Sequence, residues 1–183
     1  RYPYRDWQAP SLDLRYGNNA YMLYPIRKFV TRGREYTNIG YNPVDVPIIR
    51  YADVLLMYAE AVWRAHEVPS PEALEYVNQV RRRGFGVDIK TPNEAVDLKM
   101  MDGDKFAEAL LAERSFELCF EGQRWYDLVR FGNLEEGVKK LAKYSSVATS
   151  QAQNFQPKHV IFPIPQDVID ASNGKIEQNP LWK

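Results

Sequence analysis

The run from Ile48 to Ala65 constrains this chain more than any other segment. It holds no glycine or proline, and Ile49, Ala52, Val54, Leu55, Leu56, Met57, Ala59, Ala61, Val62 and Trp63 fall on almost every side of a helical projection. A helix apolar all round is expected to be central and buried. Pro47 suits a first helical position, because its missing N–H is one the helix start leaves unbonded anyway. The charges within the run therefore need partners. Asp53 and Glu60 share a face, Glu60 and Arg64 are spaced to pair, and Arg50 stands at the start.

A second helix is punctuated at both ends. Ser70 is a good N-cap, Pro71 a good first residue, and Glu72 favours the positive end of the helix dipole. The helix runs through Leu74, Val77 and Val80 to Arg81, Arg82 and Arg83, with Gly84 as the expected stop. Two helices joined by a short turn form an αα-hairpin, the unit of tetratricopeptide arrays. Residues 86–103 read as irregular. Asp104 is expected to cap a third helix over Lys105–Phe120, Gly122 to interrupt it, and Gln123–Phe131 to resume it. A further helix is expected near Leu134–Tyr144, and residues 145–157 read as polar and mobile. Val160, Ile161 and Phe162 read as a short strand, Pro165 opens a last helix through Ile169, and Pro180 makes the tail extended.

The first 45 or so residues have no helical period. Tyr2, Tyr4, Trp7, Tyr16, Tyr21, Tyr24, Tyr36 and Tyr41 alternate with prolines, glycines and asparagines, so loops are expected there, with a short strand near Met22–Val30. The whole 183-residue chain reads as one mainly α domain. Its parts are an aromatic loop region (1–45), a helix pair (48–83), further helices (104–144), and a C-terminal strand, short helix and tail (158–183).

Composition excludes several functions. Lys and Arg number 24, as do Asp and Glu, so the balanced charge argues against nucleic acid, which is bound through a basic surface. The Arg81–Arg83 cluster then reads as cations suited to a helix C-terminus. Cys119 is the single cysteine and reads as a small buried hydrophobe among Phe116, Leu118 and Phe120. The two histidines, His66 and His159, lack metal-ligand spacing, so neither cofactor nor metal is expected. Calcium held by scattered carboxylates is the one option left open. No segment has the length and apolarity of a membrane-spanning helix.

Catalysis is also not expected. There is no nucleophile elbow. Glu113, Glu117 and Glu121 line one helix face at a spacing that could serve glycoside hydrolysis, but Arg114, Arg124 and Arg130 are close enough to pair with them. A helix-packing ion network is the simpler reading. The positive signal is aromatic: Phe, Trp and Tyr make up 13% of the chain and crowd its first third. Ring faces can cover the C–H face of a sugar while amides and guanidinium groups bond its hydroxyls. Trp7, Tyr16, Tyr36 and Tyr41, with Asn18 and Arg34, form the candidate ligand site.

The stretch Ile48-Ile49-Arg50-Tyr51-Ala52-Asp53-Val54-Leu55-Leu56-Met57-Tyr58-Ala59-Glu60-Ala61 resembles the signature helix of the SusD/RagB family. Glu113-Arg114-Ser115-Phe116-Glu117-Leu118-Cys119-Phe120-Glu121-Gly122-Gln123-Arg124-Trp125-Tyr126-Asp127-Leu128-Val129-Arg130 resembles its second signature. Asn78, Arg81 and Arg83 fit the segment between them. Phe162-Pro163-Ile164-Pro165-Gln166 and Gln178-Asn179-Pro180 match its C-terminal blocks. The resemblance implies helical hairpins of tetratricopeptide type, and a non-catalytic receptor on the outer face of the outer membrane. Such a receptor is anchored by an N-terminal lipid not found in this chain and partnered with a SusC-like TonB-dependent transporter. Its ligands are expected to be glycans, with peptides as the alternative in the RagB branch. The N-terminal part of such a protein is missing here. On this resemblance Arg50, Asp53, Glu60, Glu113, Arg114, Glu117, Glu121, Arg124 and Asp127 form a structural charge network rather than a ligand site.

Overall fold

The computed structural model describes residues 28, 47–143 and 146–183, and these are helical in the main. The candidate ligand residues Trp7, Tyr16, Asn18, Arg34, Tyr36 and Tyr41 lie outside the described residues, as does nearly all of the strand expected at 22–30. The chain divides into two compact units, with the boundary after Phe106.

In the first unit, α1 spans Tyr51–His66 and α2 spans Pro71–Phe85, packed as a hairpin. Helix α1 begins later than Pro47 suggested. Arg50 is extended and its carbonyl accepts the first helical bond, from Val54 N, at 3.2 Å, while Ile48 and Ile49 lie in solvent. Nor is α1 buried all round. Ala52, Asp53, Leu55, Leu56, Ala59 and Glu60 form one buried stripe, while Tyr51, Val54, Met57 and Tyr58 are exposed. Among the described residues α2 packs on α1, and the remaining apolar positions of α1 stay exposed or half-buried.

Helix α2 begins as its sequence dictates. Ser70 Oγ accepts from Ala73 N at 3.1 Å, and Pro71 follows it. The helix ends two residues beyond the expected Gly84. Gly86, at φ +75°, takes the left-handed conformation and its N–H closes on the carbonyls of Arg82 and Arg83. That backbone region is open to glycine without steric cost, and Gly84 stays in the helix.

Residues 86–102 are irregular, as expected, and α2 side chains fix their path. Asn78 makes a two-way amide bond with the backbone of Leu98, donating to its carbonyl at 3.0 Å and accepting from its N–H at 2.7 Å. Arg81 donates to the Val96 carbonyl at 3.0 Å. Helix α3, Gly103–Glu117, is capped by Asp102 and not by Asp104: Asp102 Oδ1 accepts from Lys105 N at 2.9 Å, and the Asp102 carbonyl accepts from Phe106 N at 3.0 Å. Gly103 is required by contact. A Cβ there would stand 1.9 Å from the Glu67 carbonyl oxygen, where the end of α1 meets the start of α3.

In the second unit the chain turns after Glu117, resumes as α4 (Arg124–Arg130), and continues through α5 (Leu134–Ala142) and α6 (Ser146–Gln153). Leu110, Leu111, Leu118 and Leu134 supply its buried apolar side chains. Helix α6 occupies Ser146–Gln153 within the polar stretch expected to be mobile. That sequence has no glycine or proline from Ser145 to Gln153, and packing against α5 gives polar residues of modest propensity a reason to be helical. Cys119 is exposed rather than buried, because it sits in the turn after α3 while its neighbour Leu118 points inward.

The C-terminal segment holds two 3-10 turns, Pro157–Val160 and Pro180–Trp182, around α7 (Gln166–Ala171). No strand is present among the described residues, which corrects the strand expected at Val160–Phe162. Ile161 is extended, yet the partners of this segment are side chains. Gln178 accepts from Ile164 N at 2.9 Å and donates to its carbonyl at 2.8 Å. Asn179 donates to the Phe162 carbonyl at 2.7 Å, and Trp182 Nε1 to the Ile161 carbonyl at 2.7 Å. Tail amides thus take the place of a neighbouring strand. The tail, expected to be extended, turns instead at Pro180–Trp182.

Candidate functional site

Two buried charged residues, Arg82 and Asp127, organise the ion pairs. Arg82 is 1% exposed on α2. Its guanidinium binds Asp97 through two bonds, of 2.8 and 2.5 Å, Glu75 through two more, of 2.9 and 3.0 Å, and the Ile89 carbonyl at 3.0 Å. All of its donor capacity is used. The bonds to Asp97 and Glu75 raise the Arg82 pKa further, and the Arg82 bond holds the Asp97 carboxyl below the usual carboxylate range. The Arg81–Arg83 cluster is therefore not simply a cationic helix end. Its middle member is a buried clamp on the 86–102 loop, a role the sequence reading missed. The available signal was Glu75, two helical turns earlier on the same face.

The second centre is Asp127, 1% exposed on α4. One of its oxygens accepts from Arg114 Nε at 2.9 Å and from Arg130 at 2.8 Å, joining α3 to α4. Arg124 donates to the Leu111 carbonyl at 3.0 Å, and burial lowers its pKa. Glu113 is buried, whereas Glu117 and Glu121 are half-buried. In the first unit Asp53 and Glu60 are buried on α1, Glu60 accepts from Arg64 at 2.9 Å, and Arg50 occupies the N-cap. The structure thus brings Arg114, Asp127 and Arg130 together, and separately Glu60 and Arg64.

Neither histidine stands with candidate metal ligands, and no group of three His, Cys, Asp or Glu side chains suited to a metal occurs among the described residues. His159 Nδ1 accepts from Gln156 N at 3.0 Å, with its ring between Phe155 and Trp182. None of the described helices is long and apolar enough to cross a membrane.

Exposed aromatic surface occurs in each unit. On the hairpin, Tyr58 and Tyr76 meet edge to face at 5.2 Å, and both hydroxyls donate to Glu72, at 2.8 and 3.0 Å. Those bonds raise both phenol pKa values. In the second unit a groove of about 400 Å³ lies over the turn between α3 and α4, lined by residues that include Leu118, Phe120, Arg124 and Trp125. Phe162 stands beside it, its ring 6.1 Å from that of Trp125 and tilted by 32°. The sequence reading placed Trp125 and Phe162 in family motifs without marking them as surface.

A helical-hairpin scaffold locked by buried guanidinium–carboxylate clusters, with a C-terminal segment pinned by Gln178 and Asn179, defines a mainly α protein of the SusD-like fold. The SusD family model matches residues 4–182, and this chain belongs to that family. It is similar to the SusD-like protein P25 of Formosa agariphila, at 38% identity over 133 residues, covering 72% of this chain and 23% of that protein. The SusD-like protein P38 of the same organism is 37% identical over 103 residues, covering 52% of this chain and 20% of its own length. Among solved structures, a SusD homolog from Bacteroides thetaiotaomicron superposes with a TM-score of 0.63 at 39% identity, over 72% of this chain and 26% of that one. The chain therefore spans only a minor share of the relatives it matches.

Proposed function

We propose that this chain is part of a cell-surface glycan receptor that passes oligosaccharide to a SusC-like, TonB-dependent transporter in the outer membrane. The receptor is held at the outer face by a lipid anchor. The observation that carries this reading is family membership along residues 4–182. Two features are in keeping with it. The charged signature residues Arg114 and Asp127 are spent on packing, as in a binding scaffold. The aromatic residues Trp7, Tyr16, Tyr36 and Tyr41, with Asn18 and Arg34, offer ring faces and polar donors of the kind that hold a sugar. The protein acts by binding and delivery and carries out no bond chemistry.

Titration calorimetry against a panel of oligosaccharides and short peptides, with Trp7→Ala in parallel, tests this. Heat with one glycan class, lost in the Trp7 variant, supports both the receptor and its aromatic site. Heat with peptides alone replaces glycan by peptide as the cargo. Silence across the panel for the full-length receptor overturns the reading.

A further inference from the structure

The segment carrying Phe162 is fixed with unusual care for a surface element. Four hydrogen bonds from Gln178, Asn179 and Trp182 hold the backbone of Ile161, Phe162 and Ile164. No described residue of this segment is buried, and Phe162 is 76% exposed. Fixing a backbone has an entropic cost, and among the described residues of this segment no buried side chain offsets it. What the bonds accomplish locally is to hold one aromatic ring in solvent beside Trp125.

Around that pair the surface is mixed in a specific way. Leu118 and Phe120 add apolar lining to the groove. Arg124 reaches the same groove with one bond to the Leu111 carbonyl and, among the described residues, no ion pair, so several of its five N–H donors are available. The volume, about 400 Å³, lies toward the small end of ligand-site sizes. Flat apolar rings with a planar multiple donor at their edge match a pyranose, which has C–H groups on its faces and acceptors around its rim.

We propose that the groove beside Trp125 and Phe162 is a sugar-binding subsite, in which a pyranose ring lies on the two aromatic faces and its oxygens accept from Arg124. This rests on the glycan-receptor reading and adds to it a second contact point, remote in sequence from the aromatic N-terminal residues. Phe162 is the recognition residue, and Gln178 and Asn179 are positioning residues that act through it.

The test is calorimetry of the wild type, Phe162→Ala and Phe162→Trp against maltohexaose, xylohexaose, cellohexaose and mannohexaose, with thermal unfolding of each variant. Because Phe162 is exposed, both variants should unfold near the wild-type temperature. Phe162→Ala should weaken glycan binding about tenfold, the scale of one lost aromatic contact, and Phe162→Trp should restore it. Unchanged affinity in Phe162→Ala, with the wild type binding, overturns this subsite and leaves the receptor reading intact. Equal weakening in Phe162→Ala and Phe162→Trp overturns ring stacking as its basis. If the wild type binds none of the four while Trp7→Ala is equally silent, the receptor reading falls for these glycans and the subsite with it.

Discussion

The helical hairpin and the C-terminal segment solve the same problem by opposite means. In the hairpin, Leu56, Ala59, Ala73 and Val77 are fully buried, and Arg82 is buried with them to clamp the following loop. In the segment from Pro157 onward no described residue is buried, and order comes from side-chain amides bonded to backbone. The first arrangement ties loop geometry to the core, so the loop fails only when the core fails. The second can open locally, because each bond competes with water and is worth about 1 kcal/mol. Irregular backbone can thus be held by a buried charge or by a surface amide, with very different sensitivity to mutation.

The strongest way to break this contrast is Arg82→Ala. It leaves the largely buried Asp97, and the more exposed Glu75, without their cation, and should cost about 3 kcal/mol in urea unfolding. Asp127→Ala should behave alike, because it takes a carboxylate from the buried Arg114. A loss under 1 kcal/mol for Arg82→Ala would mean that the clamp is dispensable. Gly103→Ala should come next. Its Cβ must displace the Glu67 carbonyl, at a cost of about 1–3 kcal/mol by the same measurement.

Acid sharpens the comparison further. The Arg82 bond, helped by the Asn93 N–H, keeps the Asp97 pKa below its unfolded value of about 4. The folded state therefore gains stability from Asp97 above that pH, and loses it as pH falls through the lowered folded pKa. Stability should drop below about pH 5, and Asp97→Asn should flatten that dependence while lowering the plateau. The smallest global effect belongs to the tail. Gln178→Ala should raise amide exchange at Ile164 by about fivefold, and leave the urea midpoint within error. A midpoint shift as large as that of Arg82→Ala would erase the distinction between the two regions.

Much of the fold was legible in the sequence because it is local. Ser70-Pro71 specified the start of α2, Gly122 falls in the turn between α3 and α4, although α3 ends at Glu117, short of the expected Phe120, and residues 86–103 offered no period. The errors share one cause. Gly84 and Asp104 are as good by type as the residues that serve, Gly86 and Asp102, and only the backbone path chooses between them. Val160-Ile161-Phe162 has strand composition, but a strand needs a neighbour, and the neighbour present is a row of amide side chains. For the candidate site, Trp125 and Phe162 were visible as motif residues, but their exposure and their meeting across 36 positions were not.

By itself the sequence determined the helical class, the hairpin and the family, since periodicity, caps and ordered motifs are properties of neighbouring residues. Tertiary structure alone decided which of three consecutive arginines is buried, and that Gln178 closes on Ile164. It also decided that a phenylalanine stands in solvent against a tryptophan. These depend on what lies across space, where burial and hydrogen-bond geometry are set by the path of the whole chain.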